Sequence, residues 1–458
     1  MSIDVTVVIL AAGRGTRMKS RMAKVLHRAG GRALVEHAIV AALGVAPPER
    51  IFVVVGHQAE AVREVAESAG VRTIEQKEQL GTGHAVLCGE AVLAGPGGRL
   101  VVTVGDCPLI RPETLQALAE RQWTTGAAAV VLTAEVPDST GYGRIIRNYR
   151  GAVEAIVEHK AATEAQRALK EINSGIYCFD SAEFWRHVHE IGIDNPAHEY
   201  YLTDMIEILN RAGLRVEATK IADPGELLGI NDRVQLAEAD GILRDRKTRE
   251  LMLSGVTIER PETVTIDPDV RIGMDTVIGP FARIMGQTVI GEDCKIGACA
   301  ILNDAVLENG AEVFAFSMVS SSKLGVNAHA GPYARLRMGA ALGEGAHVGN
   351  FVELKNTAMG SGSKSMHLAY LGDSQIGQKV NVGAGTITCN YDGQKKHRTV
   401  IGDGVFVGSN STLVAPVELE NGSYVGAGSV ITENVPEGAL ALGRARQVVK
   451  PGWKRKGA

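Results

Sequence analysis

Aromatic residues make up only 4% of this 458-residue chain, and its six cysteines include no C-x-x-C pair. Cys88, Cys107, Cys178, Cys294, Cys299 and Cys389 are scattered without zinc-ligand spacing, so free thiols in a reducing cytoplasm are the expectation. No apolar run is long enough to cross a bilayer, and the first residues lead into a strand and a glycine loop rather than a signal-peptide core. A cytoplasmic chain with no membrane span is therefore expected. The net charge of −4 provides no basic surplus for holding nucleic acid or an anionic membrane. What the chain has in excess is glycine, with 54 residues.

The length exceeds one typical core and implies two or more domains. Up to about residue 230, short apolar runs alternate with helical patterns. Ile51 to Val55, Leu100 to Val104 and Ala127 to Leu132 read as strands buried on both faces. Val35 to Leu43, Ala59 to Ala69 and Pro112 to Gln122 read as helices between them. This series predicts a Rossmann-like α/β domain with a mostly parallel sheet and a ligand site at the strands' C-terminal ends. A charged helical stretch follows, from Asp232 to about Leu253.

Beyond Val264 an aliphatic residue followed by glycine recurs, as at Ile272-Gly273, Ile278-Gly279, Ile290-Gly291, Val382-Gly383 and Val407-Gly408. Most separations are six residues or a multiple of six, the mark of a hexapeptide parallel β-helix. Aliphatic residues stack inward and glycines turn the corners, which accounts for the glycine surplus. Polar segments at Asn350–Gln375 and Gly385–Val400 are expected to leave the coil as loops and carry sites. The expected division is 1–231, a linker at 232–252, and 253–458.

The first strand, Val5 to Leu10, runs into Leu10-Ala-Ala-Gly-Arg-Gly-Thr-Arg-Met18. Glycines after a buried strand let backbone N–H groups approach a phosphate, and Arg17 and Lys24 follow to neutralise it. Met18 occupies the last glycine position of both the P-loop and the dinucleotide fingerprint, so neither motif is met. The loop with Lys24 instead resembles the signature of sugar-1-phosphate nucleotidylyltransferases. In that family Leu10, Ala11, Ala12, Gly13, Arg17 and Lys24 would wrap a nucleotide triphosphate.

Further along, Gln76 and Gln79-Leu-Gly81-Thr82-Gly83 supply amides and a glycine turn that suit a base edge, or a plain polar turn; the resemblance implies uracil. Asp106 follows a strand and is placed to hold Mg²⁺. Val104 stands before Gly105-Asp106 where an aromatic is usual in the family. Asn231 matches the family's second metal ligand. Gly141, Glu158 and Asn173 match its sugar-binding positions, and Tyr200 to Asp204 a further family segment.

The β-helix half carries a second set in order: Arg335-Leu-Arg337, Asn350 to Lys355, His367 to Asp373, Asn381 to Asp392 and Phe406 to Ser409. Taken whole, the chain resembles the bacterial bifunctional N-acetylglucosamine-1-phosphate uridylyltransferase / glucosamine-1-phosphate N-acetyltransferase family. The resemblance implies a left-handed β-helix and a homotrimer with acyl sites between subunits. It also implies synthesis of UDP-N-acetylglucosamine, for peptidoglycan and lipopolysaccharide, from UTP, acetyl-CoA and glucosamine 1-phosphate through N-acetylglucosamine 1-phosphate.

By this resemblance Arg337, Lys355, Tyr370 and Asn381 hold the amino-sugar phosphate. Ala384, Asn390, Tyr391, Ser409, Ala427 and Arg444 contact acetyl-CoA, and His367 is the general base. An imidazole suits that task, because a sugar ammonium must lose its proton before attacking a thioester. Glu353 is expected to orient that imidazole. Met338 departs from a usual proline, and Ser365-Met366 replaces smaller residues. The basic tail, Lys450 to Lys456, suits CoA phosphates or simply solvent. A β-helix serving only as a regulatory scaffold would not need His367, Lys355 and Asn390-Tyr391. A non-enzymatic scaffold would have a degraded glycine loop, whereas Arg17, Lys24 and Asp106 are intact.

Overall fold

The computed structural model describes residues 4–95 and 97–453. Part of the basic tail, 454–456, lies outside them. Two compact units divide the chain, Met1–Leu243 and Arg244–Ala458.

The first unit is built on a sheet whose strands run in the order Val216–Lys220, Ala129–Glu135, Glu171–Asp180, Arg99–Val104, Val5–Leu10, Ile51–Val55, Arg72–Glu75. Successive residues of a strand face opposite sides. Val7 and Ile9 accordingly join a core with the helices Leu34–Leu43 and Pro112–Thr125, while Val8 joins the opposite core with Phe179, Phe184 and Met205. Both faces are covered, so the central strand is apolar at every position but Thr6. Along this order four of the six neighbouring pairs are parallel, as expected, and the exception is Glu171–Asp180, which runs antiparallel to both of its neighbours. Its register against Ala129–Glu135 shifts between Asn173 and Tyr177. Such a bulge bends a strand and re-aims its side chains, and it falls at an expected sugar-binding residue.

The helix Arg233–Leu253 spans the charged stretch. In the first unit Leu236, Ala239, Ile242 and Leu243 pack with Met18, Leu34 and Ile230; in the second, Leu251 joins the core. Among the described residues no helix is long and apolar enough to cross a membrane.

The second unit is a parallel β-helix. Among the described residues three sheets of 11, 10 and 9 short strands form its faces, and neighbouring strands within each sheet pair in parallel from one coil to the next. One interior column runs Ile278, Ile296, Val313, Ala330, Val348, Ser365, Val382, Val407, Val425, each register partner of the next. These side chains are nearly or wholly buried. Coils approach closely at the corners: a Cβ on Gly349 would sit 1.9 Å from the Met366 carbonyl oxygen.

The segment Asn350–Gln375 is not extruded. Glu353–Lys355, Ala358–Met359, Lys364–His367, Tyr370–Gly372 and Ser374–Ile376 continue the coil in register. Leu354, Met359, Leu371 and Ile376 fill its interior, so the polar residues simply face outward. Of the second segment, Ile387–Cys389 also stays in a sheet. The true excursion lies between Cys389 and Thr399, where Tyr391 bridges Lys396. A coil of three hexapeptides takes about 18 residues, and here Thr388 returns only at Leu413.

Candidate active sites

The glycine loop lines a cavity of about 920 Å³ at the C-terminal ends of the central strands. Leu10, Ala11, Ala12, Gly13, Lys24, Gln76, Gly81, Thr82 and Asp106 all reach it. Gly15 has φ 59, and a Cβ there would lie 2.5 Å from the Lys24 Cβ, so glycine is required for both backbone and side-chain reasons. Around Gly13, by contrast, the space is open.

Four expected residues meet at one end. The Lys24 ammonium pairs with the Asp106 carboxylate and lies 3.5 Å from Asn231 Oδ1. Arg17 donates to the same Asn231 oxygen at 2.7 Å. Backbone geometry holds the group together, since Ile230 N–H donates to the Asp106 carbonyl at 2.9 Å. The Asn231 N–H in turn donates to Gln235 Oε1 at 2.7 Å. Two oxygen donors, from Asp106 and Asn231, thus already face one cation. A hard ion such as Mg²⁺ fits that donor set. Among the described residues there is no cluster of three or more His, Cys, Asp or Glu able to hold a metal alone.

At the other end, the turn from Leu80 to Gly83 is clamped by the segment around Tyr200. Tyr200 N–H donates to Leu80 O, Gly83 N–H to Tyr200 O, and Leu202 N–H to Thr82 Oγ1. A Cβ on Gly81 would meet Tyr200 O at 2.6 Å. Tyr200 to Leu202 therefore brace the cavity wall.

Arg17, Gly141, Glu158, Asn173 and Asn231 do not themselves line this cavity; Asn231 adjoins it through Lys24, and Arg17 through Asn231. Glu158 and Asn173 converge instead on Gly143, whose added Cβ would lie 3.4 Å from Glu158 Oε1 and 3.5 Å from the Asn173 Cβ. Gly141, at φ 86, turns the chain into that place. Asn173 donates to the Tyr177 hydroxyl at 2.7 Å and accepts from Gly175 N–H at 3.1 Å. Burial, then the nearby Asp204 and Glu199 carboxylates, raise the Glu158 carboxyl above its ordinary range. Gln79, read with Gln76 as a base-edge amide, lines the cavity, while Arg14, Thr16 and Glu199 also line it and were missed as site residues. Arg14 and Thr16 sit inside the quoted loop motif, which was the available signal.

On the β-helix, Asn350, His367, Ala384, Ser409 and Ala427 occupy one corner position on successive coils, each followed by a residue of positive φ: Phe351, Leu368, Gly385, Asn410 and Gly428. Hydrogen bonds from Leu368 N–H to Asn350 O, Asn410 N–H to Ala384 O, and Gly428 N–H to Ser409 O tie the column. The Arg444 stem passes 3.8 Å from where a Gly428 Cβ would lie. Four of the expected acetyl-CoA residues and the expected base thus share one edge of the solenoid.

His367 Nδ1 is 2.6 Å from Asn350 Oδ1. With the amide oxygen as acceptor, Nδ1 carries the proton and Nε2 presents a lone pair. Glu353 does not orient this ring: its carboxylate accepts from Arg337 Nε at 2.8 Å. Glu353 belongs to the adjoining face, where its register partners are Arg335 and Tyr370, whereas Asn350 is the register partner of His367. The corner at Phe351, of positive φ, puts Asn350 and Glu353 on different faces, and the hexapeptide spacing was the missed signal.

On that adjoining face, Arg337 pairs in register with Lys355, and Lys355 with Gly372. The Tyr370 hydroxyl folds over Gly372, 2.5 Å from a Cβ built there. Asp373 accepts from Lys355 at 2.7 and 3.0 Å, from Asn356 at 2.7 Å, and from the Asn390 amide. Asn390 is therefore tied to the cationic cluster. Asn381 is exposed on the face that carries His367, next to Lys364 in register. Tyr391 is exposed on the excursion and donates to Gly393 O at 2.6 Å. Met338 has φ 55, a conformation closed to the proline usual there, and its sulfur lies 3.1 Å from Arg337 Nη1. Ser365 is buried with its hydroxyl unpartnered among the described residues.

The fold and the two sites define a nucleotidyltransferase unit followed by a hexapeptide-repeat β-helix of the transferase type. Residues 7–175 match the MobA-like NTP transferase domain family, 260–359 the GMPPB C-terminal domain, and 398–433 the bacterial transferase hexapeptide repeats. Over its full length the chain is 60% identical to the bifunctional protein GlmU of Solibacter usitatus, covering 100% of this chain and 98% of that protein. It is 49% identical to the same-named protein of Koribacter versatilis (98% and 96% covered) and 46% to that of Pelobacter propionicus (98% of each). The chain belongs to the bifunctional GlmU family, and its β-helix is of the left-handed hexapeptide kind.

Proposed function

We propose that this enzyme makes UDP-N-acetylglucosamine in two steps on two sites. On the β-helix, Arg337 and Lys355 bind the phosphate of glucosamine 1-phosphate, with Tyr370 and Asn381 on the sugar. Ala384, Asn390, Tyr391, Ser409, Ala427 and Arg444 receive acetyl-CoA. His367 Nε2 takes a proton from the sugar amine as its nitrogen forms a bond to the acetyl carbon. The C–S bond of the thioester breaks, and CoA leaves as the thiolate to be protonated. Asn350 holds the imidazole tautomer that makes Nε2 the base.

In the N-terminal unit, an oxygen of N-acetylglucosamine 1-phosphate forms a bond to the α-phosphorus of UTP, and the bond to the pyrophosphate oxygen breaks. The nucleophile is already anionic, so no general base is required. Arg17 and Lys24 neutralise phosphate charge, Gln76 with Gly81 and Thr82 faces the uracil, and Gly141, Glu158 and Asn173 hold the sugar. Asp106 and Asn231 would hold Mg²⁺, which when bound neutralises charge on the phosphates.

The observation that carries this reading is the pairing of His367 with Asn350 at the head of the Ala384–Ser409–Ala427 column. It gives the β-helix a tautomer-fixed base on one face and two cations, Arg337 and Lys355, on the adjoining face, which a scaffold has no use for. Supplying glucosamine 1-phosphate, acetyl-CoA and UTP should release one thiol and one pyrophosphate per UDP-sugar formed. Pyrophosphate release without thiol release would refute the acetyl-transfer half.

The reading includes a homotrimer in the cytoplasm. The exposed rings of Phe316, Tyr333 and Phe351 stack at 5.1 and 5.3 Å in the column beside Asn350, and a second copy of the chain suits such a surface. Sedimentation equilibrium of the active enzyme should give three times the chain mass; an active monomer would overturn it.

A further inference from the structure

Gln76 is buried, and its side-chain amide has a fixed orientation. Nε2 donates to Gly81 O at 3.1 Å and lies 3.0 Å from His84 Nδ1. Oε1 accepts from none of the described residues, and Gln76 lines the nucleotide cavity. A primary amide has two N–H donors and one acceptor oxygen. With His84 Nδ1 as an acceptor, both donors are used inward, on a carbonyl and on an imidazole nitrogen, and the oxygen is left for the ligand.

The base edges differ where it matters. Uracil carries a donor at N3–H, whereas cytosine has an acceptor lone pair at N3. An amide oxygen at that place pairs with uracil and opposes cytosine. Turning the amide over would present N–H₂ instead and reverse the preference.

His84 does not line the cavity. It sits half-buried on the helix Thr82–Leu87, with its ring 6.1 Å from that of Tyr200. We propose that His84, carrying its proton on Nε2 and accepting at Nδ1, is a positioning residue that locks the Gln76 amide oxygen outward and so enforces uridine over cytidine nucleotides. This rests on the reading that Gln76 faces the base. The structural logic is that of a polar site which rejects a ligand by leaving like groups opposed.

The test is the ratio of kcat/KM for UTP over CTP, read as pyrophosphate release with N-acetylglucosamine 1-phosphate. Loss of one of two hydrogen bonds holding the amide should lower that ratio about fivefold in His84→Ala, with KM for the sugar phosphate unchanged. His84→Asn, whose Oδ1 reaches the place of Nδ1, should restore the ratio. Gln76→Ala separates the two layers. If it leaves the ratio unchanged, the base-facing role of Gln76 fails and this proposal with it. If Gln76→Ala lowers the ratio and His84→Ala does not, Gln76 keeps its role and the His84 assignment is overturned. Should His84→Ala not fold, ¹⁵N-resolved NMR of the intact chain decides: an unprotonated Nδ1 on His84 is expected, and a protonated Nδ1 refutes the lock.

Discussion

Lys355 Nζ lies 2.7 and 3.0 Å from the two carboxylate oxygens of Asp373, and both side chains are buried. Burial alone would raise the Asp373 carboxyl, but hydrogen bonds from Asn356, Lys355 and Asn390 outweigh it and hold the group below its ordinary range. The folded value is thus lower than the unfolded one. The pair's stabilisation is complete above the unfolded value of about 3.9 and is lost as pH falls through the lower folded value. Asp373→Asn leaves a buried ammonium without its counter-charge and should cost about 3 kcal/mol near neutral pH. Urea unfolding followed between pH 3 and 7 should show a shallower acid loss in that variant than in the parent. Equal stability and equal pH slope would contradict the pairing.

The Asn350–His367 contact predicts a pH effect on acetyl transfer. Asn350→Asp places a carboxylate against the imidazole and favours its charged form, so the ascending limb of kcat should move to higher pH. Asn350→Ala should lower kcat about tenfold, because the ring loses its fixed tautomer. Glu353→Ala should leave the limb in place, since Glu353 engages Arg337 instead. A shift caused by the Glu353 change and absent in Asn350→Asp would reverse these roles.

Glu158 should give the N-terminal site its own acid limb. Its carboxyl is raised by burial and by the neighbouring Asp204 and Glu199. It therefore ionises, and becomes a strong acceptor for sugar hydroxyls, only above the ordinary carboxylate range. KM for N-acetylglucosamine 1-phosphate should fall as pH rises through that limb, and Glu158→Gln should flatten the dependence. Steady-state kinetics from pH 4.5 to 8 checks this; an unchanged profile in the variant would exclude Glu158 from sugar binding.

Much of this was legible from residue order alone. Stacking demands an aliphatic or small residue at one fixed interior position, and glycine where coils touch, so the β-helix is written directly into the spacing. The same rule misled at Asn350–Gln375. Each short strand points only one or two residues inward, and Leu354, Met359 and Leu371 keep such positions while charged residues crowd the outside. The column Asn350, His367, Ala384, Ser409, Ala427 is hidden from linear reading for a related reason. The excursion after Cys389 stretches its period, and only the folded register aligns its members. In the N-terminal unit the loop glycines and Lys24 were readable. The antiparallel turn of Glu171–Asp180 was not, because a strand buried on both faces looks alike in either direction.

The central claim is that one chain holds two independent chemical sites, and paired single substitutions test it most directly. His367→Ala should abolish thiol release from acetyl-CoA with glucosamine 1-phosphate and leave pyrophosphate release from UTP with N-acetylglucosamine 1-phosphate at the parent rate. Lys24→Ala, which removes the ammonium paired with Asp106, should do the reverse. Loss of both activities in either variant, both being folded, would contradict the account.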